Sequence, residues 1–313
     1  MSLSLIEFEL EARCLTIRIL CETPRVNLQA HDACEIKRHR VIHPETARGQ
    51  EGTSEQMPKG EVYSFLRPIF RAVLTMIGDT IRMTFARKKK VISYASAGQH
   101  ISGTIYYPKS DSPAPSVLLL PTAMGLTPHE HAIAARLARE GYITLALAYT
   151  KRTTGAAVVK NEQLRRLLEQ IVARGWGMLH ADPMADSNYA AVIGFSLGGY
   201  FATYIATSAK ESPPKAVVNY YGVYALAEPQ VATLRTPLLV LQGENDEAEF
   251  VNNAKRLKEG SGCNERACKV VFYPDTGHQF DLFEPNSAAT RDAWERTLSF
   301  LSQHLKPSTI KKE

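Results

Sequence analysis

A single serine lies among three glycines at the junction of two apolar segments of different character. Residues 194–199 read GFSLGG; a β-leaning run from Tyr189 precedes them and a helix-compatible run follows. Glycines on both sides of a serine permit a sharp strand-to-helix turn that projects the serine hydroxyl. The helix behind such a turn presents its first N–H groups, beginning with Leu197, to a developing oxyanion. The pattern favours Ser196 as a nucleophile over a turn that serves packing alone.

A serine nucleophile needs a base, and two histidines follow Ser196 in the chain. A serine hydroxyl reacts poorly near neutral pH unless a histidine takes its proton. His304 lies next to the polar C-terminal tail, whereas His278 lies in YPDTGHQF, a glycine-containing loop directly after an apolar run. Loops at the carboxyl ends of parallel strands collect active sites. We therefore expect His278 to be the base.

The segment LLVLQGENDEAEF contains the candidate acids that could orient this histidine. Asp246 follows a Gly-Glu-Asn turn, where the chain has room to bend a carboxylate inward. Glu249 begins the next predicted helix and suits its N-terminus. Loop placement favours Asp246, with Glu244 as the alternative. Asp275, three residues before His278, is interpreted as part of a turn.

The loop LPTAMGLTPHEH, after an earlier apolar run, is expected to supply a second backbone donor to the oxyanion. Ala123 or Met124 is the natural donor, and Gly125 lets the loop approach a substrate. His129 and His131 lie close together but have no third ligand nearby. We therefore predict that they are surface residues at a helix start rather than metal ligands.

Short apolar runs alternate with helical stretches through the C-terminal two thirds of the chain, after a predicted hairpin in VISYAS and HISGTIYY. Continuous Val, Leu and Ile runs, each followed by a helix, are typical of parallel strands covered on both faces. Together they predict an eight-stranded, mostly parallel, doubly wound α/β sheet. The predicted strands after the hairpin are 116–120, 143–148, 189–195, 216–220, 238–242 and 269–273. The predicted helices are 131–140, 161–173, 197–208, 249–258 and 289–304.

The segment before the hairpin differs from the rest in composition. Alternating apolar and polar residues near its start predict two short strands, and a polar part with Gly and Pro predicts a linker. The predicted division is an N-terminal extension at 1–58, an amphipathic basic helix at 59–90, a main domain at 91–306 and a polar tail at 307–313.

The predicted basic helix has two interpretations. Its apolar residues recur at helical spacing, and the basic run 87–90 closes it. Amphipathic helices usually pack on protein, so we favour packing on the main domain or on a second copy of the chain. The alternative is peripheral contact with an anionic membrane through residues 63–90.

Composition and charge exclude several classes of protein. The 313 residues are 44% apolar and 22% charged with a net charge of +5, which is ordinary for a globular protein. Because no Lys/Arg stripe is interleaved with aromatic residues, we expect no nucleic-acid partner. The start lacks a secretory pattern and no apolar run is long enough for a membrane span, which predicts a cytoplasmic protein. The five cysteines, Cys263 and Cys268 included, favour reduced thiols, with a local disulfide between these two as the alternative.

From residue 91 to about residue 304 the chain resembles the dienelactone hydrolase family of α/β hydrolases. The resemblance rests on LPTAMGL, ARLAREGYITLAL, VIGFSLGGYFA, VVNYYG, PLLVLQGENDEAEF and TGHQF, in that order. It implies an α/β-hydrolase fold with Ser196 as nucleophile, Asp246 as acid and His278 as base. No metal or organic cofactor is implied.

The resemblance also concerns the oxyanion site and the type of nucleophile. It implies that the backbone N–H groups of Ala123 and Leu197 bind the oxyanion. The name-giving members of the family have a cysteine where this chain has Ser196 and a glutamate near the position of Thr122. The chain therefore resembles a serine-nucleophile variant of the family.

The connection between the runs ending at residue 220 and beginning at residue 238 is too short for a lid domain. A shallow, open site favours small soluble esters, lactones or acyl thioesters over long lipids. Lys151 and Arg152 near its mouth are expected to be solvated rather than to bind a substrate carboxylate. The residues expected to line the site are Met124, Tyr149, Tyr220, Tyr221 and Phe280.

These patterns predict a serine hydrolase that cleaves a small ester, lactone or related acyl substrate through a Ser-His-Asp triad and an acyl-enzyme. One alternative is an acyl thioesterase, which would use the same three residues. The other is a catalytically idle, membrane-associated scaffold with the same fold. Neither the substrate nor the oligomeric state has a signal in the sequence.

Overall fold

The computed structural model describes residues 4–10, 15–21, 88–96, 98–150, 153–224, 234–259 and 268–305. The chain divides into two compact units, Met1–Leu66 and Arg67–Glu313. In the first unit, β1 (Ser4–Leu10) and β2 (Leu15–Cys21) form an antiparallel pair. They lie where the alternating pattern predicts two short strands.

The second unit contains an eight-stranded sheet. Its strands are β3 (Lys88–Ser96), β4 (Gln99–Tyr107), β5 (Ala114–Leu120), β6 (Ile143–Ala148), β7 (Ala185–Phe195), β8 (Ala216–Tyr220), β9 (Leu238–Gly243) and β10 (Cys268–Tyr273). They are arranged in the order β10-β9-β8-β7-β5-β6-β4-β3. Only the pairs β3–β4 and β4–β6 are antiparallel. The predicted mostly parallel sheet is confirmed.

Helices cover both faces of this sheet. They are α1 (Pro128–Arg139), α2 (Gly155–Lys160), α3 (Glu162–His180), α4 (Leu197–Ser208), α5 (Ala248–Glu259), α6 (Phe280–Phe283) and α7 (Ala288–His304). One hydrophobic core joins the sheet to α3, α4 and α5, and a second joins its other face to α1 and α7. Strand β5 is buried along its whole length because alternate side chains enter the two cores.

Three sequence-based expectations need correction: two concern element boundaries and one concerns the redox state of a cysteine. Residues Lys88–Lys90, predicted to end a basic helix, begin β3 and pair with residues 105–107 of β4. The remainder of that predicted helix lies outside the described residues. Helix α1 begins at Pro128, three residues before the predicted start, because Thr127 and Glu130 form a capping box. Cys268, predicted to be a reduced thiol, is disulfide-bonded.

The short helices α2 and α6 lie in segments for which no helix is predicted. Helix α2 begins after Thr154, whose side chain accepts a hydrogen bond from the Ala157 N–H. Helix α6 has four residues and follows Gln279, whose backbone is left-handed. Elements of four to six residues are too short for a periodic apolar stripe, so periodicity gives no signal for them. Across the described ranges, no helix is long and apolar enough to cross a membrane.

Candidate active site

Ser196 lies at the tip of the turn between β7 and α4. Its backbone has φ 51° and ψ −117°, a conformation that is strained for a residue with a side chain. The glycines around it make room for this turn, since a Cβ on Gly194 would collide with the Gly198 carbonyl and a Cβ on Gly198 would collide with the Leu120 carbonyl. The serine is 6% exposed. Sequence and packing therefore agree on a turn that projects the Ser196 side chain.

Three side chains from three loops meet at this turn. His278 Nε2 lies 2.9 Å from Ser196 Oγ, and His278 Nδ1 lies 3.0 and 2.9 Å from the two carboxylate oxygens of Asp246. The loops follow β7, β9 and β10, which are parallel strands, so all three side chains emerge at the carboxyl edge of the sheet. The arrangement has the geometry of a nucleophile, a base and an orienting carboxylate.

The Asp246 carboxylate is held by more than the histidine. Gln242 Nε2 donates to Oδ2 at 2.8 Å, and the Glu247 N–H donates to Oδ1 at 2.7 Å. The side chain has no exposed surface. Glu244, the alternative acid, is exposed. Sequence reasoning missed Gln242 because its position in an apolar strand suggests packing rather than a polar contact.

Two backbone N–H groups are available beside Ser196. Leu197 is the first residue of α4, so its N–H has no acceptor within the helix. In the loop after β5, the Met124 N–H bonds the Thr122 hydroxyl at 3.2 Å and the Gly125 N–H bonds the Thr122 carbonyl at 3.0 Å. The Ala123 N–H donates to no acceptor in the described part of the chain. Of Ala123 and Met124, the geometry favours Ala123 as a donor to an oxyanion.

The predicted lining residues divide into two groups. Met124 is 47% exposed. Tyr149, Tyr220 and Phe280 are buried in the cores and 1 to 3% exposed. The Tyr149 hydroxyl donates to the Pro121 carbonyl at 2.9 Å, and the Tyr220 hydroxyl lies 2.7 Å from Thr297 Oγ1. The rings of these three residues fill the cores on the two faces of the sheet. They therefore pack beneath the loops and do not present a surface to a substrate.

Tyr221 and Phe250 enclose the imidazole of His278. The Tyr221 ring is edge-on to it at 4.8 Å between centroids, and the Phe250 ring is stacked on it at 5.1 Å. The Tyr221 hydroxyl donates to Asp281 at 2.5 Å. Burial, and after it the Asp281 carboxylate, raises the pKa of Tyr221 well above its ordinary value, so the hydroxyl stays protonated and donates.

Tyr224 is a site residue that the sequence did not single out. It is 5% exposed, and its ring packs edge-on against Phe250, which stacks on the His278 imidazole. A Cβ on Gly155 would collide with this hydroxyl, so the glycine at the start of α2 leaves space for it. Burial raises the pKa of Tyr224 above its ordinary value. Its only sequence signal is its position four residues after β8.

The prediction that His129 is a surface residue is wrong. His129 is 8% exposed, and its Nε2 lies 2.7 Å from Asp281 Oδ2. His131 is half-buried, and its Nδ1 lies 3.0 Å from the Tyr106 hydroxyl. His129 belongs to the buried face of α1, whereas His131 lies on a different side of the helix and contacts β4 through Tyr106. No group of three metal-ligating side chains occurs among the described residues, and Lys151 and Arg152 lie outside them.

Sequence comparison matches the chain to one protein family and to a curated relative. A model of the dienelactone hydrolase family matches residues 101–305. The carboxymethylenebutenolidase of Rhodococcus opacus is 26% identical over 213 residues, which cover 61% of this chain and 81% of that protein.

Solved structures with similar folds carry related names. A dienelactone hydrolase-like promiscuous phosphotriesterase from metagenomic libraries superimposes with a TM-score of 0.58 at 19% identity, covering 69% of this chain and 98% of that one. A dienelactone hydrolase from Anabaena variabilis gives a TM-score of 0.55 at 20% identity, covering 70% and 99%. At sequence identities of 19% and 20%, these similarities show a shared fold and nothing further.

Proposed function

Because the chain belongs to the dienelactone hydrolase family of α/β hydrolases, we propose that it cleaves a small ester or lactone through Ser196, His278 and Asp246. The observation that supports this most directly is the continuous contact from Ser196 Oγ to His278 Nε2, at 2.9 Å, and from His278 Nδ1 to Asp246. Chemistry of this kind needs no metal or organic cofactor.

In the first half of the reaction, His278 Nε2 takes the Ser196 proton while Oγ attacks the substrate carbonyl carbon. The carbonyl π electrons move to oxygen, and the N–H groups of Leu197 and Ala123 stabilise the resulting oxyanion. The intermediate collapses to an ester on Oγ, and His278 returns the proton to the leaving alkoxide. With a lactone, the alcohol stays attached to the acyl chain.

In the second half, water replaces the alcohol. His278 takes a proton from water, whose oxygen attacks the acyl carbon, and the oxyanion forms at the same two donors. Collapse expels Ser196 Oγ, which recovers its proton from His278, and the acid leaves. The Asp246 carboxylate stabilises the imidazolium that forms in each half.

The substrate is proposed to be small and soluble. No described element closes over Ser196 as a separate lid, and the loops after β5, β7, β9 and β10 surround it. His278 keeps 24% of its side chain exposed, so the base can be reached from solvent. A short acyl group on an activated alcohol is therefore a suitable test substrate.

The direct test is Ser196→Ala assayed with p-nitrophenyl acetate. We expect kcat to fall by about 10⁴-fold or more, because the residual rate comes only from binding and the oxyanion donors. Ser208→Ala, the same change at the last residue of α4, should stay within twofold of the wild type and serves as the matched control. A Ser196→Ala protein that folds and retains most of its activity would contradict the proposal.

A further inference from the structure

Strained backbone is concentrated around the three proposed catalytic side chains. Within the described ranges, the residues other than glycine with positive φ are Ser196 (51°), Tyr221 (41°), Asp275 (54°) and Gln279 (54°). Tyr221 follows β8 directly, and the last two flank His278 in its loop. Such conformations persist only where the surrounding contacts hold them. The contacts that hold Tyr221 in this conformation therefore bear on where His278 lies.

Asp281 makes one of these contacts, with the Tyr221 hydroxyl. It lies two residues after Gln279, in α6, and is 7% exposed. One of its carboxylate oxygens accepts the Tyr221 hydroxyl at 2.5 Å, and the other lies 2.7 Å from His129 Nε2. Both oxygens of a buried carboxylate are thus engaged by side chains from two other segments of the chain. A buried carboxylate with such partners is costly to disrupt.

These contacts reach the imidazole through one ring. The Tyr221 N–H donates to the Leu241 carbonyl at 2.9 Å and its hydroxyl is held by Asp281, so the ring between these two anchors has a fixed position. The edge of that ring lies against His278, and Phe250 stacks on the imidazole. Between these two rings the imidazole can still rotate and slide. Its hydrogen bond to Asp246 limits both movements.

We propose that Asp281 is a positioning residue for the hydrolytic reaction, which holds Tyr221 against His278 and keeps Nε2 aligned with Ser196 Oγ. His129 supports the carboxylate from α1, the helix that follows the loop with the Ala123 donor, so the contact also links the base loop to the oxyanion loop. Tyr221 then acts on the base rather than on the substrate. The inference rests on the proposed function, in which His278 is the base.

The test compares two Tyr→Phe variants. Tyr221→Phe removes the hydroxyl that Asp281 holds and keeps the ring. Tyr107→Phe is the matched control, because the Tyr107 hydroxyl donates at 2.7 Å to Asp182, another carboxylate that is 7% exposed. Tyr107 is the last residue of β4 and Asp182 lies between α3 and β7, and no hydrogen bond joins either of them to the three proposed catalytic residues. kcat and KM for p-nitrophenyl acetate and the thermal midpoint are measured for both variants.

We expect Tyr221→Phe to lower kcat roughly tenfold, since a displacement of about 1 Å of a catalytic group can cost on the order of 100-fold. KM should stay within twofold. The rate of Ser196 labelling by a fluorophosphonate should fall by the same factor as kcat. Tyr107→Phe should leave all three quantities within twofold, even where its thermal midpoint falls as much as that of Tyr221→Phe.

Asp281→Asn is the second variant, and it should reproduce the fall in kcat. Because both changes break one contact, the double variant Tyr221→Phe/Asp281→Asn should be no slower than the slower single variant. Additive losses would overturn the proposal, as would a Tyr221→Phe kcat within twofold of the wild type. A raised KM at unchanged kcat would also overturn it and would assign Tyr221 to substrate binding.

Failure of this inference can be told apart from failure of the proposed function. If Ser196→Ala abolishes turnover while Tyr221→Phe leaves kcat unchanged, the proposed triad stands and the role of Asp281 is refuted. If Ser196→Ala retains turnover, the proposed function is refuted. A tenfold loss of kcat in Tyr221→Phe would then not be evidence for positioning of His278.

Discussion

At the scale of single residues, the proposed chemistry depends on a carboxylate that has no exposed surface. Asp246 accepts hydrogen bonds from His278, Gln242 and the Glu247 N–H. Three donors fix the orientation of the carboxylate. As the acceptor at His278 Nδ1, Asp246 holds the imidazole proton there and leaves Nε2 free to accept the Ser196 proton. The position of Asp246 thus selects the tautomer that the reaction requires.

Asp246→Asn tests this selection at a constant side-chain shape. The amide would offer no negative charge to the imidazolium, and its NH₂ group would favour the wrong tautomer of His278. We expect kcat for p-nitrophenyl acetate to fall by about 10³- to 10⁴-fold with little change in KM. Glu244→Gln, in the same loop but exposed, is the control and should keep full activity. Equal losses in the two variants would refute the assignment of the acid.

The residues of the proposed triad follow from the sequence, whereas their supports do not. Ser196 is marked by its glycines, and His278 and Asp246 by their position after apolar runs. Tyr224, Gln242, His129 and Asp281 carry no such mark, because each lies in or beside an apolar segment and meets its partner only in the folded chain. His129 and Asp281 are separated by 152 positions, a distance over which a single sequence gives no pairing information.

At the scale of elements, the start of α1 contains the least expected buried charge. Glu130 is 3% exposed, and its carboxylate accepts from the Thr127 N–H at 2.9 Å and the Thr127 hydroxyl at 2.5 Å. Burial raises its pKa above the ordinary value of 4.5, although His129 and the Thr127 hydrogen bonds oppose the shift. The capping box thus fixes where α1 begins and buries an ionisable group there.

Glu130→Gln separates these two effects, since glutamine also completes a capping box. A carboxyl with a raised pKa in the folded state stabilises the fold below its unfolded pKa, near 4.5, and this contribution is lost as the pH rises through the folded pKa. The free energy of unfolding of the wild type, minus that of Glu130→Gln, should therefore decrease from pH 4 towards neutral pH. Urea unfolding at several pH values measures it.

The control for this experiment is Glu140→Gln, at the exposed C-cap of the same helix. Its difference from the wild type should vary less with pH than that of Glu130→Gln. A Glu130→Gln difference that grows with pH would contradict the raised pKa, because it would mean that the folded state favours the ionised carboxylate.

At the scale of the whole molecule, hydrophobic patterning predicts the strands of the sheet well. The six runs after the hairpin coincide with β5 to β10 within a few residues, because strands buried on both faces are continuously apolar. The predicted division into 1–58, 59–90, 91–306 and 307–313 stays a prediction. The basic run Lys88–Lys90 is predicted to end a helix. It lies instead on β3, an exposed edge strand, where lysine is favoured.

Lysines on β3 have a simple physical role at this scale. Strand β3 is the last strand of the sheet at one end, and Lys88, Lys89 and Lys90 are exposed. Charged side chains on an edge strand oppose pairing with a second sheet. The basic run is explained by this position without a membrane partner. Peripheral membrane contact through the rest of segment 63–90 stays a prediction.

The central claim is that Ser196 is a nucleophile activated by His278, and labelling of the full-length protein with a fluorescent fluorophosphonate tests it most directly. Peptide mapping should place the label on Ser196, and Ser196→Ala should take up none. His278→Gln should slow labelling by several orders of magnitude while the protein stays folded. Absence of label from the folded wild type, or a label on another residue that persists in Ser196→Ala, would contradict the account.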